Sequence, residues 1–589
     1  MNETDASKPM TDRLSRRDLP FIVCALVSGL IVLYLGRSLT FWYDEWRSIT
    51  FDGGPVDFFR PVNEHWSTLP LLLYRATFNV VELHSYLPYL AQVIVLHLIA
   101  VAGAYVLMRR RVGRMAATLL ALPLLILGAG AENLFWAFQT GFVGSVVFGV
   151  WALVFVERPH PRSAMYASAL LVLSVASSGI GPFFAAAVAV RTAVEPAHRA
   201  RLWVAAPPML LYATWHVLFG RDALGGQAPL AGPASIVGFW FRGMNHAFEA
   251  LVGVSRFPTG GVVGFACFVL LCVFIGRRAN RGSWPALACG CVGGLVGMYA
   301  VIGVARAGYD VDLATRSRYV YVASFLVVLS CADLIARPIS VNLRGRRAIG
   351  ALGITALLAW IVAANANSLI LMRIQFQYNA DLTRAFIQLA VESERERWVD
   401  PEARFQFSPV ASDIPRLLER HGSPLEDSLV PGVVSRPSRR AYESAALLLT
   451  GEHFRIERAS GHDSFTPVRV TGSGGAVLDR DQAGCLRVRS VDESASVTIS
   501  VGPGERLRLS SPDPVEAIVL LGYEFPPSRG LHVVLRPGRA QDVLTPDRGR
   551  SRPSRLAVAL QRKSVPLRVC ALRSRAVGTA GAGLPSPSS

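Results

Sequence analysis

Ten long apolar runs, separated by short linkers that carry arginine, dominate the first 372 residues of this chain. They lie at 20–39, 87–107, 115–131, 141–156, 164–191, 202–219, 257–276, 283–304, 318–336 and 348–372. A helix needs about 20 apolar residues to cross the hydrocarbon core of a bilayer, so the pattern predicts a polytopic α-helical membrane protein. The first run follows Arg13, Arg16 and Arg17 and leads straight into Phe41-Trp42-Tyr43, with no small-residue cleavage site. It reads as a retained first span and not as a removable signal. Composition agrees: of 589 residues 51% are hydrophobic and 17% charged, against about 25% charged in soluble domains. An ordinary soluble enzyme, a disordered chain and a small disulfide-stapled domain are excluded. The net charge of +18 comes from 60 basic and 42 acidic residues. It points to no nucleic acid, because the arginines sit in the linkers between apolar runs.

Those linkers set an orientation. Arg109, Arg110, Arg111 and Arg114 follow the second run, and Arg158 and Arg162 the fourth. Arg191, Arg199 and Arg201, then Arg277, Arg278 and Arg281, then Arg337, Arg344, Arg346 and Arg347 follow later. Short arginine-rich loops stay cytoplasmic. For all of them to share one side, 164–191 must cross twice, broken at Ser177-Ser178-Gly179-Ile180-Gly181-Pro182, since Gly and Pro punctuate helices. The expectation is then about eleven spans, with residues 1–19 cytoplasmic and everything after about 372 outside a bacterial cytoplasmic membrane. The alternative is one long tilted helix over 164–191.

Two segments look interfacial. In 40–86, six acids stand against three arginines, and Trp66–Val81 repeats apolar residues three and four apart, as an amphipathic surface helix does. The piece 236–255, rich in Phe and Trp but carrying Arg242, His246 and Glu249, is too polar to span and reads as a second interfacial helix or lid. Beyond 372, residues 373–464 read as a helical and mixed linker, with Tyr378–Trp398 helical. From 465 to 577 short alternating strands separated by Gly and Pro predict a β-sandwich-like domain, and 578–589 reads as a disordered end. Of eight cysteines, six lie in or beside spans; Cys485 and Cys570 alone lie in the C-terminal block. A disulfide between them is expected in an oxidising compartment.

Ionisable residues are scarce within the runs. His97 and His216 are isolated, and a lone histidine on an apolar helix is usually a packing residue; transport normally needs ionisable groups along a polar path at depth. The chemistry-bearing residues gather where spans would reach the outside. Asp44-Glu45 follows the first span, and Arg60 and Glu64-His65 come later in the same loop. Glu132-Asn133 and Gln139 occupy the turn after the third run, and Arg316, Arg318 and Tyr319 open a late span. Carboxylates there would deprotonate a hydroxyl or hold a divalent cation, and the arginines with Tyr319 would hold a phosphate.

This layout resembles the GT-C integral-membrane glycosyltransferases, which include protein O-mannosyltransferases, lipid A aminoarabinose transferases and actinobacterial envelope arabinosyl- and mannosyltransferases. The matching residues are Phe41-Trp42-Tyr43-Asp44-Glu45-Trp46, Asn63-Glu64-His65-Trp66 leading into an interfacial helix, the turn at Glu132, the Ser-Ser-Gly-Ile-Gly break and Ser317-Arg318-Tyr319. Many relatives have Asp where Glu132 stands. The resemblance implies an inverting transfer from a polyprenyl-phosphate-linked sugar donor to an envelope glycan, lipid or protein acceptor at the outer face. Asp44 would be the general base. Glu45 and Glu132 would orient the acceptor or bind a divalent cation. Arg60, Arg316 or Arg318 would stabilise the leaving phosphate, with Glu64, His65, Asn133, Gln139 and Tyr319 lining the substrate site. The lid at 236–255 would gate lipid access; a divalent cation is the one cofactor the resemblance leaves open. The rival readings are a transporter or flippase of a lipid-linked sugar, and a non-catalytic membrane scaffold whose β-domain binds envelope glycan.

Overall fold

The computed structural model describes residues 15–51, 53–221, 231–255, 261–282, 284–335, 347–392, 401–405, 407–427, 429, 432, 437–449, 456–458, 465–466, 468–474, 476–490, 495–501, 505–513, 515–521, 531–537, 539–544, 554–560 and 566–573. The expectations for Arg13, for the linker arginines 337, 344 and 346, and for the 578–589 end lie outside the described residues. The chain divides into two units, 1–377 with 426–434, and 378–425 with 435–589.

The first unit is helical. Its elements are α1 (Leu19–Gly36), α2 (Glu45–Ile49), α3 (Thr68–Val81), α4 (Leu87–Val112), α5 (Arg114–Leu125), α6 (Glu132–Phe135), α7 (Thr140–Val156) and α8 (Pro161–Val175). There follow α9 (Gly181–Val194), α10 (Ala206–Trp215), α11 (Pro233–Val252), α12 (Val263–Ala279), α13 (Ala286–Arg306), α14 (Ser317–Ile335) and α15 (Arg347–Glu392). Among the described residues, seven helical stretches are long and apolar enough to cross a membrane, and Arg114–Gly130 and Gly181–Val194 are shorter apolar ones. The fifth apolar run is a hairpin: α8 and α9 are separate helices, and Arg191 at the end of α9 reaches Glu157, just before α8, at 3.2 Å. The turn between them is tight, since a Cβ on Gly181 would lie 2.4 Å from the Val175 nitrogen. The third run stops short of its expected length. Pro123 lies in the last turn of α5, and the chain turns through Gly128–Gly130 into α6.

Helix ends collect at two poles. At one, which we call the arginine end, carboxylates are buried in ion pairs. Asp18 holds Arg109 at 2.8 Å, Glu157 holds Arg110 at 2.8 Å and also Arg111, and Asp333 holds Arg111 at 2.7 Å. Arg278 at the end of α12 donates to the Leu334 carbonyl at the end of α14. These contacts tie the arginines at the ends of α4, α9 and α12 to the ends of α7 and α14. The opposite end, which carries the acid-bearing turns, holds residues 37–86, 126–139, 176–180 and 307–316. The expected interfacial piece 236–255 is helix α11. It is fastened into the bundle, with Phe239 and Met244 fully buried and the Asn245 side chain capping the Phe265 amide of α12. His97 is buried and paired with the Tyr321 hydroxyl at 3.0 Å, a packing histidine.

Among the described residues the second unit carries two short helices, α16 (Ile414–His421) and α17 (Arg439–Leu449), and twelve strands. The strands β1 (Ile456–Arg458), β10 (Gln541–Leu544), β7 (Glu505–Ser510), β12 (Leu567–Arg573), β5 (Leu486–Ser490) and β4 (Ala476–Arg480) lie side by side in one antiparallel sheet, with β2 (Phe465–Thr466) on β12. The other sheet runs β3 (Arg469–Gly474), β6 (Ala495–Val501), β11 (Ser554–Leu560), β8 (Val515–Leu521), β9 (Leu531–Leu535). Alternate residues of both sheets, among them Val488, Leu507, Leu509, Val569, Val497, Ile499 and Val558, share one core. This is a β-sandwich, built as strand alternation requires. Cys485, just before β5, and Cys570 in β12 form a disulfide between neighbouring strands of the first sheet. The six other cysteines are free.

Candidate active site

The site begins where α1 ends. The chain turns sharply at Tyr43, whose φ of 53° is left-handed, an uncommon conformation for a bulky residue that carries about 1–3 kcal/mol of strain. The turn sets Asp44 at the start of α2 and buries both acids, Asp44 at 3% and Glu45 at 0% exposure. The two carboxylates face different surroundings. Glu45 Oε2 accepts the Trp42 amide at 2.7 Å, and Oε1 accepts the Tyr86 hydroxyl at 2.9 Å. The Tyr86 oxygen in turn accepts the Ala137 amide at 2.9 Å. Glu45 thus fastens the first loop to the start of α4 and to the turn before α7. Burial pushes its carboxyl up to about 8, against the lowering pull of the Trp42 and Tyr86 donors, so it is neutral at pH 7. Asp44 keeps Oδ1 buried and without a hydrogen-bond partner among the described residues. Burial raises its carboxyl as well, opposed by the nearby Asn63 amide and by the charges of Arg47 and Arg318.

A two-residue hairpin supplies the next wall. Val62 and His65 exchange both backbone hydrogen bonds at 3.0 Å, which leaves Asn63 and Glu64 at its tip with φ of 49° and 71°. Positive φ at both central residues is the requirement of a type I′ turn. Asn63 accepts from Arg47 at 2.8 Å, and Glu64 pairs with Arg306 at the end of α13 at 2.7 Å. His65 packs on the break between α8 and α9: a Cβ on Gly179 would lie 2.8 Å from its Nδ1. Burial, then the charges of Arg306 and Arg318, lowers the imidazole to about 4, so it is neutral at pH 7.

The second acid-bearing turn meets the first. Trp136 donates to the Trp42 carbonyl at 3.3 Å, and its ring lies 5.0 Å from that of Trp42 and 6.1 Å from that of Tyr43. Glu132 opens α6, and its amide donates to Ser317 Oγ at 3.2 Å. Its carboxylate lies 3.7 Å from Arg318 and receives Gln139 Nε2 at 3.5 Å. Arg318 therefore stands between Glu132 and Asp44, with Tyr319 buried beside it. Asn133 is fully buried with neither amide atom partnered, and Gln139 Oε1 is likewise unpartnered, among the described residues.

Asp44, Glu45, Glu64, His65, Glu132, Gln139, Arg318 and Tyr319 thus line one connected assembly, and Asn133 lies in its α6 wall. Two expected residues stand apart. Arg60 pairs with Asp57 at 2.7 Å with 73% of its side chain exposed, and it is not among the cations that bear on Asp44. Arg316 is exposed, and its carbonyl accepts the Tyr319 amide at 2.9 Å. Sequence reasoning missed Arg47, Tyr86 and Arg306 as parts of the site. Arg47 carried a signal, three positions after Asp44 on the same helical turn; Arg306 reads from sequence as an ordinary span-end arginine. Among the described residues no group of three His, Cys, Asp or Glu converges to hold a metal ion. With Glu45 committed to Trp42 and Tyr86 and Glu64 to Arg306, the donor set is thin for a divalent cation, which takes six or more oxygens.

No family model and no curated protein matches the chain. Among solved structures, the chain is similar to ArnT from Cupriavidus metallidurans bound to undecaprenyl phosphate, at 14% identity over 71% of this chain and 89% of that one, with a TM-score of 0.42. The apo state of the same protein matches at 12% identity, 69% and 88% coverage and a TM-score of 0.42. An Archaeoglobus fulgidus oligosaccharyltransferase in complex with Zn and sulfate matches at 14% identity, over 72% of this chain and 61% of that one, with a TM-score of 0.37.

Proposed function

We propose that this protein is a membrane glycosyltransferase of the GT-C kind that moves a sugar from a polyprenyl-phosphate donor to an acceptor hydroxyl, with inversion, and that Asp44 is its general base. The observation that carries the reading is the asymmetry of the acid pair: Glu45 is hydrogen-bonded through both oxygens and neutral, whereas Asp44 holds a buried oxygen with no partner beside Arg318. A general base needs an unengaged carboxylate oxygen within reach of the proton it takes, and burial brings its pKa nearer working pH. In the reaction, the acceptor oxygen attacks the anomeric carbon as its proton passes to Asp44. The bond from that carbon to the phosphate oxygen breaks, and the electron pair leaves with the polyprenyl phosphate. The phosphate is a stable anion and needs no strong acid; Arg318, and Arg306 if released from Glu64, would hold its charge. Glu45 is a positioning residue in this scheme. Glu132 and Gln139, with Asn133, would receive sugar hydroxyls.

The arginine end belongs on the cytoplasmic side under the positive-inside rule. That puts the site and the β-sandwich outside, with about eleven crossings of a bacterial plasma membrane. A labelled polyprenyl-phosphate sugar, supplied to purified protein with envelope extract as acceptor, tests the reading: Asp44→Asn should abolish transfer while membrane insertion persists. Undiminished transfer by that variant would refute it, and movement of intact lipid-linked sugar without transfer would replace it with a flippase.

A further inference from the structure

We propose that Asn365 is a positioning residue for Glu132, and that through it the C-terminal end of α11 sets the second acid-bearing turn. The inference rests on the reading that Glu132 serves the proposed transfer. Asn365 lies in the apolar part of α15 and is 1% exposed, on a helix whose Leu357, Trp360, Ile370 and Leu371 face outward. A buried carboxamide in such a helix costs free energy unless every polar atom is partnered, and here every one is. Its Oδ1 accepts the Ala129 amide at 3.2 Å, and its Nδ2 donates to the Leu251 carbonyl at 2.9 Å and to the Ile361 carbonyl one turn back at 3.0 Å. A backbone N–H only donates and a carbonyl only accepts, so these partners fix which side of the amide faces the turn and which faces α11. From the turn the contacts run on to the site. The Ala129 carbonyl accepts Ser317 Oγ at 2.9 Å, and that oxygen accepts the Glu132 amide at 3.2 Å. Four hydrogen bonds therefore join the Leu251 carbonyl to Glu132 by way of Asn365, Ala129 and Ser317, and the Glu132 carboxylate stands 3.7 Å from Arg318, the residue after Ser317.

Packing makes the link stiff. The last carbonyls of a helix have no partner within it, and α15 supplies two for α11: Asn365 takes Leu251, and Trp360 Nε1 takes the Val252 carbonyl at 3.1 Å. Gly253, left-handed at φ 81°, closes α11 so tightly on α15 that an added Cβ would lie 2.2 Å from the Ala364 Cβ. On the other side, a Cβ on Gly128 would lie 1.8 Å from the Asn365 carbonyl oxygen. The end of α11 and the turn thus rest against adjacent residues of one helix at backbone distance. Close-packed contacts of this kind transmit a displacement instead of absorbing it. Asn365 touches no reacting group; it acts by holding the backbone that presents Glu132.

The test has two arms, both on full-length protein in lipid nanodiscs. In the first, transfer from a labelled polyprenyl-phosphate sugar is measured per folded molecule. Asn365→Leu keeps the volume and removes the amide, and should lower kcat/KM by about tenfold to a hundredfold, as a displaced group does. In a Glu132→Gln background the same change should cost less than about twofold, because a residue that works through Glu132 then has nothing to position. Equal losses in both backgrounds mark a merely structural residue and overturn the proposal, as does no loss in either. Should Asn365→Leu fail to insert, Ser317→Ala cuts the same chain one link later and carries the same expectation. The second arm uses hydrogen exchange without substrate. Trp360→Phe frees the Val252 carbonyl and loosens only the end of α11; it should speed exchange over residues 128–135 by about fivefold, the size of one lost hydrogen bond, and should leave that turn unaltered once Asn365→Leu is present. A turn indifferent to Trp360→Phe in the otherwise wild-type chain overturns the coupling. Wild-type protein that transfers no sugar would sink the glycosyltransferase reading instead, and the exchange arm, which needs no sugar, tells the two failures apart.

Discussion

The two ends of the helical unit use carboxylates in opposite ways. At the arginine end, Asp18, Glu157 and Asp333 are each locked against guanidinium groups within 2.8 Å. At the other end, Asp44 keeps an unclaimed oxygen, and Asn133 and Gln139 keep unclaimed amide atoms, among the described residues. Asp18 is as buried as Asp44 and Glu45, so burial does not separate the two ends. Pairing does. A desolvated acid matched to several cations stays ionised and holds helices together, while a desolvated acid with few partners becomes a group that trades protons. Glu157 and Glu45 show the two limits. Burial alone would raise Glu157, but Arg191, Arg111 and Arg110 outweigh it and hold the carboxyl down at about 2. Glu45, lacking any cation, sits at about 8.

The contrast can be broken in four places. The largest effect belongs to chemistry. Asp44→Asn should lower transfer by about 10²–10⁴, the range for a lost general base, whereas Asp333→Asn should leave turnover per folded molecule intact; comparable loss in both would erase the distinction between the two ends. Glu157→Gln takes one carboxylate from Arg110, Arg111 and Arg191, of which Arg111 keeps Asp333 and Arg191 keeps Glu195; the loss should cost up to about 3–5 kcal/mol, to be read as lowered unfolding temperature in detergent.

The third test uses pH, and the ends respond in opposite directions. Glu157 is depressed in the folded state, so its stabilisation is complete above the unfolded value of 4.5 and fades as pH falls towards 2. Glu45 is raised, so its contribution is complete below 4.5 and fades as pH climbs from 4.5 through 8, because the unfolded chain ionises first. Hydrogen exchange corrected for intrinsic rates should therefore show residues 156–160 loosening in acid and residues 42–46 loosening towards pH 8. Glu45→Gln should flatten the second response while leaving the first, and a slope unchanged by that variant would mean Glu45 is ionised when folded. The smallest change is Gly179→Ala. Its added methyl would lie 2.8 Å from His65 Nδ1, and the overpacking should destabilise by about 1–3 kcal/mol; an unaltered melting curve would show that His65 moves aside freely.

Much of the framework was legible beforehand. The apolar runs became helices because 20-residue hydrophobicity is a local property, and the division of 164–191 into two helices follows from its Gly and Pro break. Errors came where a local rule met a tertiary contact. The last run was expected to end at 372 with a separate helix over 378–398, yet α15 runs unbroken for 46 residues. No Gly or Pro interrupts 354–392, and a change from apolar to polar residues does not end a helix. In the sandwich, alternation reads out β5 to β9, β11 and β12, as 485–489, 496–501, 506–510, 517–521, 531–535, 556–560 and 566–572, but not β1 to β4 or β10. β4 is half polar, and β10 carries an aspartate, Asp542, buried against Arg508, a pairing that hides a core position behind a charged letter.

The sequence by itself determined a membrane-spanning helical unit with two chemically distinct ends, a strand-rich C-terminal domain holding the Cys485–Cys570 pair, and an acid pair at the end of the first span. Only the tertiary structure decided which member of that pair is free. Asp44 and Glu45 are adjacent and nearly identical in chemistry, and no local pattern separates them. Their difference comes from Tyr86 and the turn before α7 claiming Glu45, and from the hairpin and α14 bringing Asn63 and Arg318 to Asp44. Solvation and hydrogen bonding depend on residues far away in the chain, and they set the proton affinity of an acid more strongly than its own side chain does.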